Sequence, residues 1–341
     1  MKVLTFVIPA YNSEKFLDKC IPSMLVQEVL PKLEIIVVND GSKDATPEIA
    51  RKYCQQHPDV VRLISQENKG HGGALNAGCG AAQGKYLKVI DADDWIVSEN
   101  LAVFMELLEK TESDVVLTHH HTIDISTGEI KHWRSYPKQF GKAYTFDEIM
   151  ADWRSFDRSL TFHGITYRTE FYHQFGHPLL EHVFYEDHEY ATYPSCYAKS
   201  ITPFDLFLYE YRIGDVNQSV SNANQLKRLG HTEAVLQRMA DLYPSVPEAG
   251  GRQFAAMKIH GLVLSYLTTA LLVNPDKKEG RRLAQEQMAK RQADAALAYD
   301  LTKRKYQVFC LLNRFHISKA TWDAILTSSL YNRIRKNHSF D

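Results

Sequence analysis

Cysteine is scarce in this chain. The five in 341 residues, Cys20, Cys54, Cys79, Cys196 and Cys310, are scattered, and no two make a C-x-x-C pair. That excludes a disulfide framework and argues against a zinc knuckle; buried free thiols in a reducing cytoplasm are the expectation. Long apolar runs are missing too. "IHGLVLSYLTTALLV", at 259–273, falls short of the ~20 residues that cross a bilayer. It reads as a buried helix, and no transmembrane segment is expected. The opening "MKVLTFVIPAYNSEK" lacks the longer apolar core and small-residue cleavage site of a signal peptide. Internal repeats and low-complexity tracts are absent, and the net charge is only −1. That charge is unevenly spread: residues 277–336 hold 14 Lys/Arg against 5 Asp/Glu. A basic tail suits an anionic partner, either a membrane surface or nucleic acid; the membrane surface is retained and nucleic acid is not expected. A solvated helical face accounts for the same charges.

What is present is an ordinary globular composition, 44% hydrophobic and 24% charged, in a chain long enough for one large domain or two smaller ones. Strand-like runs at 3–8, 34–39, 60–65, 86–90 and 114–118 alternate with helical patterns at 45–55, 73–83 and 99–110. Ser13 is expected to cap a further helix with Phe16, Cys20, Met24 and Leu25 on one face. Repeated strand–helix–strand units predict an α/β fold with a parallel sheet covered on both faces. Beyond residue 120, "HTIDISTGEIKHW" resembles a hairpin and "ITPFDLFLYEYRI" a long strand. From Asn222 the composition is helical, with breaks at Pro244, Pro247 and Gly250–Gly251.

In such sheets ligands bind beyond the carboxyl ends of the strands, so the residues after each strand carry the information. After the first comes "PAYN" (9–12), after the second "DGS" (40–42), after the third "QENKGHGG" (66–73), and after the fourth "DADD" (91–94). Asp91, Asp93 and Asp94 would repel one another unless a cation sits among them, and hard divalent ions bound by one or two carboxylates usually share phosphate oxygens. Magnesium or manganese is therefore expected there. Asp40 could accept hydrogen bonds from a base or ribose, or simply start a turn. Tyr11 could offer its ring to a nucleobase while Pro9 and Asn12 shape the turn. The glycines of "NKGHGGALNAG" would let backbone approach a phosphate, with Lys69 and His71 placed to reach phosphate or sugar. In "YEDHEY", Glu186 and Asp187 read as a general-base pair or as acids favouring a helix start.

The triplet His119-His120-His121 alternates faces along a strand and does not converge on one metal. His173 and His177 have helical spacing, but Gly176 and Pro178 interrupt the helix they need. His163 and His182 are candidates for the acceptor side.

Taken together, "FVIPAYNSEKFL", "EIIVVNDGSKDAT", "NKGHGGALNAG", "GKYLKVIDADDW", "YEDHEY" and "LYEYRIGDVNQSVS" resemble the family 2 glycosyltransferases, inverting enzymes with the GT-A fold. The resemblance spans about residues 3–221. It implies a GT-A catalytic domain at 1–221, with a nucleotide-binding half (1–120) and an acceptor half (121–221), followed by a helical C-terminal region at 222–341. It implies a nucleotide-sugar donor, most often a UDP-sugar, with Mg²⁺ or Mn²⁺. By position Pro9, Tyr11 and Asp40 match the family's uracil and ribose contacts. Asp91 and Asp93 match its D-x-D pair, and Asp94 is an extra acid. Asp187 matches the catalytic base, with Glu186 beside it, and Tyr211-Arg212 and Ser219 match a loop over the donor phosphates. Two departures stand out: Ala74-Leu75-Asn76 replaces an Ala-Arg-Asn run, and His71-Gly72-Gly73 replaces a small apolar stretch. Members that build surface polysaccharide use lipid-linked acceptors at the inner membrane face, with which the basic tail is compatible. A haloacid-dehalogenase-type phosphatase also uses D-x-D, but on its earliest strand and without a following Asp-Trp. A dinucleotide-fold oxidoreductase or a non-catalytic sugar-binding scaffold completes the alternatives.

Overall fold

The computed structural model describes residues 1–214 and 222–327. They form two compact units, Met1–Gln218 with Ser245–Ala255, and Ser219–Pro244 with Ala256–Asp341. In the first, strands β1 (Leu4–Ala10), β2 (Leu33–Asp40), β3 (Val61–Gln66), β4 (Tyr86–Val89) and β5 (Trp95–Ile96) are joined by helices α1 (Leu17–Met24), α2 (Thr46–Gln56) and α3 (Gly70–Gly80). Then come α4 (Leu101–Lys110), β6 (Val115–Asp124), β7 (Ile130–Trp133), α5 (Phe146–Ala151), β8 (Ile165–Arg168), α6 (Thr169–Phe175), α7 (Asp187–Cys196) and β9 (Ile201–Ile213). The strands lie in the order β3-β2-β1-β4-β8-β6-β9-β5, with β7 on β6.

From β3 to β4 every pairing is parallel; β8 is antiparallel to both its neighbours, and β6 runs parallel to β9. Every residue of β1 and β2 is buried, as expected of strands covered on both faces. Leu17, Cys20, Ile21 and Met24 of α1 pack with Leu4, Phe6 and Ile8 of β1 in one continuous core. Each such side chain contributes about 1.5–3 kcal/mol over an exposed one. The expected cap on α1 is not formed by Ser13: Phe16 occupies the N-cap position, while the Ser13 carbonyl accepts from the Phe16 and Leu17 amides. Helix α3 starts three residues earlier than its apolar pattern, because glycines carry no periodicity. All five cysteines are free, with Cys54 and Cys310 only half-buried.

The second unit contains α8 (Asn222–Lys227), α9 (Leu229–Leu242), part of α10 (Ala249–Thr268), α11 (Lys277–Asp294), α12 (Ala296–Arg314) and α13 (Lys319–Thr327). Helix α10 continues as a π-turn over Thr269–Val273, so the helical run is 25 residues rather than the shorter apolar stretch visible in sequence. By length and composition it could cross a membrane, but Phe254, Ile259, Val263 and Leu267 are fully buried, as in a core helix. Arg291 is buried, yet its Nη2 donates to Gln237 (2.9 Å) and Asp294 (2.6 Å). A cavity of about 1000 Å³ lined by Lys85, Glu112, Arg168 and Glu170 lies at the amino end of β4, away from the strand ends that carry the motifs.

One core residue is out of character. Lys88 on β4 is fully buried, and its ammonium donates only to the carbonyls of His163 (2.7 Å) and Ile165 (3.0 Å). Burial pushes its pKa down from 10.5 to about 7. Between those two values the unfolded chain holds a proton that the folded protein has released, so stability rises with pH across that window. Relative to Lys88→Met, the native chain should gain about 2 kcal/mol between roughly pH 7 and roughly pH 9 in urea titrations. A pH-independent difference would contradict this burial.

Candidate active site

The ends of β1, β2, β3 and β4 lie side by side, which brings the four motif loops to one edge of the sheet. The first two loops are stitched together. Asn12, at φ 51°, donates its amide to Ser42 Oγ (3.1 Å) and accepts from the Lys43 amide (2.8 Å). The Ser13 amide donates to Thr46 Oγ1 (2.7 Å). Asn12 is thus a turn-former, Pro9 is buried within β1, and Tyr11 projects from the edge with half its surface exposed.

Asp40 is buried. Its Oδ1 accepts from Gln66 Nε2 and from the Lys69 amide, both at 2.8 Å, and its carbonyl accepts from Asn68 Nδ2 (3.0 Å). This carboxylate fixes the loop that enters α3. The Lys69 ammonium lies 3.5 Å from Glu181, and the Lys69 carbonyl accepts from the His182 amide (2.7 Å), so segment 180–186 lies against the start of α3. Two glycines make that approach possible. A Cβ on Gly72 would stand 2.2 Å from the Leu180 carbonyl oxygen, and Gly70, at φ 78°, faces the His182 backbone at 3.0 Å. Here the glycine-rich loop admits another stretch of protein, where the sequence suggested a phosphate.

His71 joins these pieces. Its Nδ1 lies 2.5 Å from Glu186 Oε1 and its Nε2 3.0 Å from Asp91 Oδ1. Burial would lower the His71 pKa, but hydrogen bonds and charge from Asp91 and Glu186 outweigh it and raise it well above the ordinary histidine value. The two carboxylates thus favour the protonated ring. Both ring nitrogens are engaged, so His71 acts here as a cross-brace. Glu186 is correspondingly buried, with the same cross-brace as its partner.

The three aspartates after β4 separate by role. Asp94 is buried; its Oδ2 accepts from the Tyr209 hydroxyl (2.6 Å) and its Oδ1 from the Arg212 amide (2.7 Å). With both oxygens engaged it pins β9 to this edge. Burial, then Asp91 and Asp93, raise its pKa well above the usual carboxylate range. Asp93 is more open; burial and then Asp91 raise its pKa, while Arg212, whose guanidinium lies 3.6 Å away, opposes the shift. Asp187 is half-buried at the first position of α7. Tyr211 of β9 registers the charge of the acids: burial, then Asp94, Asp91, Asp93 and Asp187, push its phenol up to about 12. Its ring stacks on His163, with centroids 4.1 Å apart. Ser219 lies outside the described residues. Among those described, no three His, Cys, Asp or Glu side chains are grouped to hold a metal ion.

A model of the family described as Glycosyl transferase family 2 matches residues 5–180. The chain belongs to that family. EpsH of Bacillus subtilis is 30% identical over 224 residues, 62% of this chain and 60% of its own. The succinoglycan biosynthesis protein ExoO of Rhizobium meliloti is 36% identical over 124 residues, 36% of this chain and 34% of its own. The chain spans less than two thirds of the curated relatives it matches. Among solved structures, TarS 1–349 of S. aureus in complex with UDP-GlcNAc superposes with a TM-score of 0.58 at 18% identity, covering 93% of each chain. The mannosyltransferase PcManGT of Pyrobaculum calidifontis, in complex with GDP-Man and Mn²⁺, gives 0.51 at 16% identity, covering 99% of this chain and 88% of its own. These likenesses show a GT-A fold, in keeping with the family match.

Sequence patterns missed the Asp91–His71–Glu186 bridge and Tyr209 as the anchor of Asp94; only the apolar–aromatic alternation of "LYEYRI" hinted at the latter, while Tyr211 was singled out through the resemblance alone. Removing one partner from a buried ion pair leaves the other uncompensated. His71→Ala should therefore cost about 3 kcal/mol in urea unfolding, and Glu186→Gln in the same background should recover part of it. A cost below about 1 kcal/mol would mean the bridge is not formed.

Proposed function

We propose that this glycosyltransferase moves a sugar from a UDP-sugar, with inversion, to a hydroxyl of a glycan or lipid-linked acceptor in cell-surface polysaccharide synthesis. The observation that carries the reading is the bridge from Asp91 through His71 to Glu186, which brings the strand end bearing Asp91 and Asp93 to the start of the helix bearing Asp187. The ligands of the two solved neighbours, UDP-GlcNAc and GDP-Man with Mn²⁺, are in keeping with a nucleotide-sugar and a divalent ion here.

Asp93, half exposed and disfavoured as an anion by burial and Asp91, would hold Mg²⁺ or Mn²⁺, with Asp91 through the oxygen that His71 leaves. The ion needs only one or two protein carboxylates and would neutralise the departing diphosphate. Asp94 is left out of that set. Tyr11 would stack on the uracil, and Asp40 would reach the ribose through Oδ2, its other oxygen being occupied by Gln66 and Lys69. Asp187 would take the proton from the acceptor hydroxyl as its oxygen attacks the anomeric carbon and the bond to the diphosphate breaks. His71 and Glu186 would hold the helix bearing Asp187 against the strand end bearing Asp91. In this reading 1–120 holds the nucleotide and 121–221 the acceptor, with the enzyme on the cytoplasmic face of the membrane.

UDP-sugars should be screened for metal-dependent UDP release. With the active donor, Asp187→Asn should lower transfer about a hundredfold or more while leaving the UDP dissociation constant unchanged. Unchanged turnover removes Asp187 as the base. A folded protein indifferent to UDP with Mn²⁺ sinks the donor reading.

A further inference from the structure

Helix α12 is built inside out. The side chains it buries are small or polar: Ala298, Thr302 and Asn313. Thr302 Oγ1 is 2.8 Å from His260 Nδ1, and Asn313 donates to the Leu271 carbonyl (2.7 Å) and accepts from Arg281 (2.6 Å). Hydrogen bonds thus secure its inner face, beside the half-buried rings of Tyr306 and Phe309. A second set of large apolar side chains points the other way. Leu297, Leu301, Val308 and Leu311 are 41–54% exposed, and Phe315, just past the helix end, is 68% exposed. At 3.6 residues per turn all five fall on one stripe. A soluble helix ordinarily turns such a stripe to the core, and contiguous exposed apolar surface marks an interaction site.

Charge identifies the partner. The segment 296–319 carries five Lys/Arg, Lys303, Arg304, Lys305, Arg314 and Lys319, against one acid, Asp300. Arg304 falls within the stripe itself, between Leu301 and Val308. Two copies meeting through this stripe would bring like charges into an apolar seam, whereas a bilayer surface lets the arginine stem lie along acyl chains and its head reach a lipid phosphate. We infer that the exposed face of α12 docks on an anionic lipid bilayer surface, lying in the interface with Leu297, Leu301, Val308, Leu311 and Phe315 inserted. This rests on the proposed membrane-side location and names the surface that would secure it.

The test is flotation of the full chain with vesicles of phosphatidylcholine alone or mixed with phosphatidylglycerol, at low and high salt. The native protein should float with the anionic vesicles, weakly with the neutral ones, and less at high salt. Leu311→Glu with Phe315→Glu should cut the bound fraction at least tenfold, and Arg304→Glu with Lys305→Glu should do so mainly at low salt. Both pairs are exposed, and circular dichroism checks that each variant is folded. Flotation of the Leu311/Phe315 variant equal to the native protein, or no native binding to anionic vesicles, overturns the inference. A native dimer in sedimentation that the same variant converts to monomer also overturns it, since a second copy then covers the stripe. A failure to bind UDP would count against the donor reading and leave this result standing.

Discussion

One histidine organises the acidic edge. His71 links Asp91, at the end of β4, to Glu186, 115 residues away from it in the chain and at the start of α7. Without it, two carboxylates would face each other in partial burial with nothing between them, an arrangement that drives protonation or separation. With it, the strand end bearing the D-x-D acids and the helix bearing Asp187 become one piece.

The rest of the edge follows the same logic of assigning each acid a partner. Asp40 is held by Gln66 and a backbone amide, and Asp94 by a tyrosine hydroxyl and a backbone amide. Those two carboxylates set the positions of the α3 loop and of β9. Asp93 and Asp187 are the members left more open. A cluster that reads in sequence as a uniform patch of negative charge is, in the fold, divided between acids that build the edge and acids that face what comes to it.

Much of this was legible beforehand. The runs expected at 3–8, 34–39 and 86–90 are the observed strands to within a residue or two, because fully buried parallel strands are continuous apolar runs. The long strand over Ile201–Ile213 also matches its pattern. The start of α3 was misplaced, since "GHGG" has no apolar period to read. The partition of Asp91, Asp93 and Asp94 was invisible, because it depends on β9 arriving from more than a hundred residues downstream with Tyr209 and Arg212 in register. His71 looked like a ligand-facing residue for the same reason: its two partners are distant in the chain. Helix α12 was hidden behind its charge count, and only packing shows that its leucines face outward.

The fit at Gly72 reaches beyond this one position. With the Leu180 oxygen where a methyl group would go, any side chain at that position displaces the segment leading to Glu186. A small apolar residue therefore cannot replace Gly72 on its own. His71, its flanking glycines and the path of 180–186 constrain one another, so a change to one demands a change in the others.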